Sequence, residues 1–114
     1  MSDCLFCKIA RGEIPCDKVY EDNDILAFRD IHPQTACHVL IIPKEHFPGL
    51  KELESASDAL LAGLLRKAAA VAKLAGIDGS GYRLVSNCGR DACQSVQHLH
   101  FHLLGGQQLS DRMS

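Results

Sequence analysis

The sequence predicts an α+β domain in which an antiparallel meander sheet of about five strands packs with one long helix and a short N-terminal helix. Five short segments carry the β-branched and apolar residues, or the two-residue alternation, typical of strands. One longer segment repeats its apolar side chains with the period of an α-helix. A chain of 114 residues is long enough for one modest core and too short for two, so a single domain is expected over residues 1–114.

The first half of the chain predicts a short helix followed by three strands. Residues 4–10 have helical character, and Gly12 and Pro15 prevent that helix from continuing. Polar residues 21–24 separate two strand-like segments and indicate a turn. The next segment, Cys37–Pro43, is apolar enough to lie at the centre of the sheet. The predicted strands of this half cover residues 18–20, 25–30 and 37–43.

The second half predicts the long helix and two further strands. Ser55 followed by Asp58 resembles a capping box at the start of a helix over residues 55–75, and Gly76 supplies its stop. The last strands are expected at residues 82–86 and 97–104, joined by a polar loop that contains glycine. The helix is expected to bury one wide apolar face, formed by Leu60, Leu61, Leu64, Leu65, Ala68, Val71, Ala72 and Ala75.

The most informative segment is residues 98–104, in which three histidines alternate with apolar residues. Successive side chains of a strand point to opposite faces, so His98, His100 and His102 are expected on one face. A helix would scatter the three imidazoles over roughly 200° and mix them with apolar side chains. The residues expected on the opposite face, in the core, are Leu99, Phe101 and Leu103.

The same geometry limits how these histidines can bind a metal ion. A strand rises about 3.3 Å per residue, so the backbones of His98 and His102 are expected roughly 13 Å apart. Zinc holds nitrogen ligands at about 2.1 Å, and the two outer imidazoles therefore cannot readily share one ion. At least one histidine of the row is expected to be free for another role.

Composition and charge exclude several classes of partner. The net charge is −2 and no cluster of lysine and arginine is present, so an electrostatic footprint for nucleic acid is missing. The N-terminus has no signal-peptide pattern, and no apolar run approaches the roughly 18 residues of a membrane span. We expect a cytoplasmic protein without nucleic-acid or membrane partners, whose six cysteines are reduced or bind metal.

Taken together, these segments resemble the histidine-triad (HIT) family, whose signature alternates three histidines with apolar residues. Further segments look like the Hint branch, whose members are adenosine phosphoramidases, and the likeness extends from about Cys4 to Gly106. The resemblance implies the HIT fold, normally a two-fold homodimer, with a purine nucleotide as substrate. The segments that carry it, beside residues 98–104, are Gly12-Glu13-Ile14-Pro15, Leu26-Ala27-Phe28-Arg29-Asp30-Ile31, Pro33-Gln34, His38-Val39-Leu40-Ile41-Ile42-Pro43-Lys44 and Gly81-Tyr82-Arg83.

The resemblance implies catalytic roles for four side chains. His100 is expected to attack the α-phosphorus of a nucleotide, a task that suits a neutral imidazole near pH 7. His38 and His102 are expected to donate hydrogen bonds to nonbridging phosphate oxygens. Ser95 is expected to contact the scissile bridging atom and to help the leaving group accept a proton. The implied reaction hydrolyses adenosine 5′-phosphoramidates or acyl-adenylates to AMP through a nucleotidyl-histidine intermediate.

The resemblance also implies the contacts that bind the nucleotide. The Asp30 carboxylate is expected to bridge the two ribose hydroxyls, and Asn87 is expected on the phosphate side. Backbone N–H groups near Cys93 and Gln94 are expected to cradle phosphate oxygens as an anion nest. The apolar residues expected beside the base are Phe6, Phe28 and Ile31.

A metal site is expected at the N-terminal cysteine pair. Cys4-Leu5-Phe6-Cys7 spaces two thiols as zinc ligands are spaced, but zinc needs two further ligands. The candidates are His46 and His98, and similar sites occur in a subset of histidine-triad proteins. A closed site with four protein ligands would be structural, and no organic cofactor is expected. The alternative is a pair of reduced cysteines on a short helix, with His98 in a structural hydrogen bond.

Two departures from the family pattern affect the expected site. Cys93 stands where the pattern usually has glycine, and its Cβ would be strained if the backbone there needs a positive φ. The chain also contains no tryptophan, whereas in animal Hint proteins a C-terminal tryptophan reaches toward the partner subunit's site. The preference for a leaving group therefore stays open.

Two other functions remain compatible with the sequence. One is hydrolysis of dinucleoside polyphosphates, as in the neighbouring Fhit branch. The other is a non-catalytic nucleotide-binding or zinc-stabilised interaction protein. Ser95, the Asp30-Ile31 pair and Gly105-Gly106 favour the Hint branch, and all the groups needed for turnover are present.

Overall fold

The computed structural model describes residues 4–113 and confirms the α+β class. The short N-terminal helix, the long helix and five strands occur in the predicted order. Within residues 4–113, none of the helices combines the length and the apolar character that crossing a bilayer requires. The elements are α1 (Leu5–Ala10), β1 (Lys18–Glu21), β2 (Ile25–Arg29), β3 (Cys37–Pro43), α2 (Asp58–Leu74), β4 (Tyr82–Val85) and β5 (Phe101–Gly105), with 3₁₀ helices at Leu50–Ser55 and Arg90–Ala92.

The five strands form one antiparallel sheet in the order β1-β2-β3-β5-β4. The first three strands are a simple meander, and every residue of β3 is buried, as its apolar run predicts. α2 then connects β3 to the edge strand β4, and β5 returns between them, so the sheet does not follow chain order throughout. This return places His102 of β5 opposite Leu40 of β3, next to His38.

The sheet has two covered faces, and alternate residues of the strands divide between them. One face packs against α2 and holds the larger core, which includes Ala27, Val39, Ile41 and Leu103. The other face packs against α1 and holds a smaller core of Phe6, Ile9, Leu26, Phe28, Leu40 and Ile42. The histidines of interest therefore belong to the face that α1 covers only in part.

The start and the apolar face of α2 differ from the prediction. Ser57, not Ser55, caps the helix, because its hydroxyl accepts the N–H of Leu60 at 3.1 Å. Ser55 instead ends the preceding 3₁₀ helix, where its hydroxyl donates to the carbonyl of Glu52. Leu65 was wrongly included in the buried face, since it is 60% exposed while Leu64 is 2% exposed. The helix turns about 100° per residue, so these neighbours point in different directions.

The last strand is shorter at its start than the expected range of 97–104. Its ladder begins at Phe101, so His98 and His100 lie just before the regular strand. The alternation nevertheless holds through this segment, as expected. The rings of His98 and His100 both contact the ring of Phe6, at centroid distances of 6.0 and 5.1 Å. Leu99 lies in the core on the α2 face, so the imidazoles and apolar side chains point to opposite sides.

The contrast between two neighbouring leucines of α2 gives a stability prediction. Leu64→Ala should lower the free energy of unfolding by about 2 to 4 kcal/mol, because it leaves a cavity in the core. Leu65→Ala, the matched control, should change it by less than about 1 kcal/mol. Urea denaturation followed by circular dichroism measures both values. A loss at Leu65 as large as that at Leu64 would contradict the exposed position of its side chain.

Candidate active site and metal centre

A cavity of about 330 Å³ opens on the α1 face of the sheet, beside the row of histidines. Apolar side chains form most of its wall, and Asp30, Ser95, His100 and His102 contribute polar groups. A larger cavity of about 460 Å³ lies beside the β1–β2 turn, but its lining contains neither histidine nor cysteine. The cavity with the histidines is therefore the candidate active site. Its apolar wall includes Phe6, Ile9, Ile14, Phe28, Ile31, Leu40 and Val96.

His100 is 3% exposed and lines this cavity. Its Nδ1 lies 2.7 Å from the carbonyl oxygen of His98, which can only accept a hydrogen bond. Nδ1 therefore carries a proton, and in the neutral form of the ring the lone pair is on Nε2. The ring stands perpendicular to Phe6, which packs against it edge to face. The arrangement leaves His100 with one nitrogen anchored and one nitrogen able to act as a nucleophile.

A chain of hydrogen bonds fixes the protonation of His38 and His102. The backbone N–H of Gln34 donates to Nδ1 of His38 at 3.0 Å, so the ring proton of His38 is on Nε2. That Nε2 lies 2.9 Å from Nδ1 of His102 and donates to it. The proton of His102 is therefore on its Nε2, which makes this nitrogen a hydrogen-bond donor. We call Gln34, His38 and His102 the histidine relay.

Both imidazoles of the histidine relay are neutral at pH 7. Burial lowers the pKa of His38, although the nearby Asp30 carboxylate opposes the shift. Burial also lowers the pKa of His102 to about 4, and the neighbouring His100 and His38 act in the same direction. A neutral relay keeps the direction of its hydrogen bonds, and with it the donor at Nε2 of His102.

The histidine relay changes the role expected for His38. Its Nε2 is directed at His102, with Oδ2 of Asp30 at 3.5 Å, so it holds His102 rather than donating to a phosphate oxygen. Asp30, His38 and His102 are also close enough together to suggest a metal site. Ligation through Nε2 of His38 would require removing its proton while Gln34 still donates to Nδ1. The cluster therefore suits a hydrogen-bond relay better than a metal ion.

The structure brings most of the expected nucleotide contacts into this one cavity. The Oδ1 of Asp30 accepts the N–H of His32 at 2.8 Å, which orients the carboxylate at the end of β2. Phe6 and Phe28 pack edge to face at 5.6 Å, while Ile31 is 85% exposed. Asn87 lies elsewhere, in a neighbouring cavity of about 390 Å³ that shares His102.

The loop before the histidines differs from the expected anion nest. Cys93 has a φ of 60°, and within residues 4–113 it is the one non-glycine residue with a positive φ. This backbone explains why glycine is usual there. The N–H groups of Cys93 and Gln94 donate to the carbonyls of Arg90 and Gly89, at 3.0 and 3.1 Å. These two N–H groups are therefore engaged within the loop, and a cradle formed by N–H groups near them stays a prediction.

Sequence reasoning missed two contributors to the site. Gln34 acts through its backbone N–H, and the alternation of side chains carries no signal for such a contact. Cys16 lines the candidate active site from the segment before β1, and burial raises the pKa of its thiol. Its neighbours Ile14 and Pro15 belong to a segment that carries the family resemblance. That segment was the sequence signal that could have pointed to Cys16.

Cys4, Cys7, His46 and His98 come together beside α1, as expected, and we call them the metal cluster. The Sγ of Cys4 and Nδ1 of His98 are 3.3 Å apart, and the Sγ of Cys7 lies 3.2 Å from Nδ1 of His46. The two Nδ1 atoms are 3.1 Å apart. A tetrahedral zinc ion bound by sulfur and nitrogen separates its ligand atoms by about 3.3 to 3.8 Å. These three separations lie within a few tenths of an ångström of those values, and all four ligand atoms lie within 4.8 Å of one another, as the ligands of one ion would.

The surroundings of His98 also suit metal ligation. Its Nε2 donates to the carbonyl of Pro43 at 2.8 Å, so the lone pair on Nδ1 faces the thiols. Burial lowers the pKa of His98, which keeps the ring neutral. Cys4 caps α1, since its Sγ accepts the N–H of Cys7. The metal cluster joins α1 to the segment that immediately precedes His100.

Comparison with known proteins gives a consistent result. The model of the HIT domain family matches residues 11–109. A 14 kDa zinc-binding protein of Zea mays is 49% identical over 111 residues, which cover 96% of this chain and 86% of that protein. The purine nucleoside phosphoramidase of Escherichia coli (strain K12) is 41% identical over 112 residues, 98% of this chain and 94% of that protein.

Solved structures agree with the family model. The crystal structure of a HIT family hydrolase from Legionella pneumophila Philadelphia 1 is 47% identical and superimposes with a TM-score of 0.94. That similarity covers 98% of this chain and 100% of the other. Similarity in sequence and in fold therefore extends over almost the whole chain. The protein whose histidines and cysteines are described above belongs to the HIT domain family.

Proposed function

We propose that this protein is a nucleotide-binding hydrolase that cleaves adenosine 5′-phosphoramidates or acyl-adenylates to AMP through a nucleotidyl-His100 intermediate. The observation that carries the proposal is His100 itself, whose Nδ1 is bonded to the carbonyl of His98 and whose side chain lines a cavity of about 330 Å³. The relative in Escherichia coli that is named purine nucleoside phosphoramidase supports the same substrate class.

Substrate binding follows from the lining of the candidate active site. The base packs against the apolar wall formed by Phe6 and Phe28, and the Asp30 carboxylate accepts hydrogen bonds from the ribose hydroxyls. The Nε2–H of His102 donates to a nonbridging phosphate oxygen. These contacts bring the α-phosphorus to Nε2 of His100, so that the reacting atoms are held together before bond formation.

Hydrolysis then proceeds in two displacements at phosphorus. The lone pair of His100 Nε2 forms a bond to the α-phosphorus, and the bond to the leaving nitrogen or acyl oxygen breaks with its electron pair. Ser95 stands beside the bridging atom and helps an amine leaving group gain its proton. Water next attacks the phosphorus and releases a proton that replaces the one taken up by the amine, and the electron pair of the phosphorus–nitrogen bond returns to His100 as AMP leaves.

Loss of the nucleophile should abolish turnover while sparing nucleotide binding. His100→Ala is expected to lower release of a fluorogenic amine from its adenosine phosphoramidate by at least about 10³-fold. Its affinity for AMP, measured by calorimetry, should stay within about tenfold, because the base and ribose contacts remain. Equal rates for wild type and variant would eliminate the covalent mechanism. If the protein cleaves a dinucleoside polyphosphate but not the phosphoramidate, the Fhit-like alternative is favoured. If it binds AMP but cleaves neither substrate, the non-catalytic alternative is favoured.

The lowered pKa of His102 gives a dependence of stability on pH. In the unfolded chain its imidazole binds a proton near pH 6.5, but in the folded protein only near pH 4. Between these values the unfolded state holds the extra proton, so stability falls as the pH drops. The titratable groups that act on this ring are His100, His38 and Asp30. The free energy of unfolding, measured in urea between pH 5 and 7, should rise with pH less steeply for His102→Gln than for wild type. The difference between the two slopes should reach about 1.4 kcal/mol per pH unit. Identical slopes would contradict a neutral, half-buried His102.

We further propose that the metal cluster holds a structural zinc ion. Two thiols and two imidazoles are a donor set that zinc prefers, and four protein ligands leave no open position for chemistry. The relatives in Zea mays and Brassica juncea are named zinc-binding proteins, which supports this choice of metal. Bound there, the ion would fix α1, and with it Phe6, against the segment around His98.

We also propose a two-fold homodimer, as is normal in the family. The outer edge of β4 has no strand beside it within residues 4–113, and such an edge suits pairing with a second copy.

Native mass spectrometry of the purified protein tests the metal and the assembly together. It should find about one zinc ion per chain in a two-chain particle. Cys7→Ser should lose the metal and lower the melting temperature, because binding energy of the ion is folding energy. The control Cys16→Ser lies outside the metal cluster and should keep the ion. Wild-type protein that contains no metal after growth in zinc-replete medium would contradict the zinc proposal. A particle with a single chain would contradict the dimer.

A further inference from the structure

The side-chain amide of Gln94 is a hydrogen-bond hub in the loop that leads to Ser95. Its Nε2 donates to the carbonyl of Pro48 at 2.6 Å and to the carbonyl of Val96 at 3.0 Å. Its Oε1 accepts the N–H of Gly89 at 2.9 Å. Both donors and the acceptor of one amide are therefore used, each with backbone. The amide closes its own loop and also ties it to a distant segment.

The distant segment belongs to the metal cluster. Pro48 follows the expected metal ligand His46 by two residues. Between them, the carbonyl of Phe47 accepts the N–H of Leu99 at 2.6 Å. Leu99 stands between His98, another expected ligand, and His100. Residues 46–48 are thus bonded on one side to the segment of the nucleophile and on the other to the loop of Ser95.

Close packing indicates that the position of the Gln94 amide is built into the fold. Gly49 has extended backbone, with a φ of −174°, so conformation alone does not require glycine there. A Cβ at this position would lie 3.2 Å from Oε1 of Gln94 and 3.5 Å from Sγ of Cys88. The missing side chain of Gly49 therefore makes room for the amide.

We propose that Gln94 is a positioning residue that couples the metal cluster to the placement of the Ser95 hydroxyl beside the leaving group. Gln94 does not touch substrate in this proposal; it acts through residue 95, to which it is covalently joined. The expected effects on kcat rest on the proposed hydrolase function, whereas the expected effect on metal release does not. Coupling is reciprocal, so loosening the amide should also loosen the hold of residues 46–48 on the metal.

The kinetic signature of positioning differs from that of general loop stability. Ser95 is expected to matter for a leaving group that must gain a proton and to matter little for one that leaves as a stable anion. Gln94→Ala should therefore lower kcat about tenfold for an alkylamine phosphoramidate of adenosine. It should change kcat less than about threefold for the nitrophenyl ester of AMP. The affinity for AMP should be preserved, because the Gln94 side chain is outside the cavity lining.

A double-mutant cycle shows whether Gln94 acts through Ser95. In a Ser95→Ala background, Gln94→Ala should cost less than about twofold in kcat for the alkylamine substrate. Gln97→Ala is the matched control, since its side chain bonds the backbone of the same loop, at the carbonyl of Gln94, and should leave kcat unchanged. Gln94→Glu keeps an acceptor for the N–H of Gly89, but its carboxylate cannot donate to the carbonyls of Pro48 and Val96. Its loss of kcat should therefore equal or exceed that of Gln94→Ala.

Metal release provides a readout that does not depend on turnover. Transfer of zinc from the holoprotein to a chromogenic chelator should be several-fold faster for Gln94→Ala than for wild type and Gln97→Ala. If Gln94→Ala fails to fold, Gly49→Ala offers a second test, because its added Cβ crowds the Gln94 amide. It should also lower kcat for the alkylamine substrate and speed the transfer of zinc.

Three results would overturn the coupling: equal losses for both leaving groups, additive effects with Ser95→Ala, or an unchanged rate of metal release. A wild type that cleaves neither substrate would refute the hydrolase instead, and metal release would still report on Gln94.

Discussion

Three of the functional imidazoles of this protein have one nitrogen fixed by a backbone group. His98 donates to the carbonyl of Pro43, His100 donates to the carbonyl of His98, and His38 accepts the N–H of Gln34. Because a neutral imidazole carries one proton, fixing one nitrogen decides the chemistry of the other. His38 donates from its other nitrogen to His102, and in the proposed function the free nitrogen of His98 is a metal ligand and that of His100 the nucleophile. Three identical side chains thus acquire different roles from the direction of a single hydrogen bond.

This assignment requires neutral rings, and burial favours the neutral form of His38, His98 and His102. Transfer of a charged imidazole out of water is unfavourable, which lowers the pKa of His38, His98 and His102. The burial comes from the two-sided sheet, since α2 covers one face and α1 part of the other. Residues that stabilise the sheet and residues that carry its chemistry therefore alternate along the same strand. Substituting Leu103 and substituting His102 would disturb opposite faces.

Side-chain alternation and turn residues were sufficient to predict the element order, the central position of β3 and the shared face of the three histidines. The spacing of the cysteine pair, together with the resemblance to the HIT family, pointed to the four residues of the metal cluster. What these patterns could not supply is backbone hydrogen bonding. The true cap of α2 at Ser57, the relay through Gln34 and the engaged N–H groups of Cys93 and Gln94 all depend on main-chain contacts. Side-chain patterns are silent about such contacts, since every non-proline residue carries the same groups.

The loop from Gly89 to Val96 shows how such contacts maintain an unfavourable conformation. Cys93 holds a left-handed backbone that costs a non-glycine residue about 1 kcal/mol or more. A strained residue of this kind persists only where its surroundings determine the local structure. Here the N–H groups of Cys93 and Gln94 close the turn, and the Gln94 amide adds bonds to Gly89, Pro48 and Val96. At about 1 kcal/mol net for each bond, these contacts outweigh the strain. The loop therefore keeps its shape without glycine at residue 93, and Ser95 inherits its position from bonds that no catalytic motif describes.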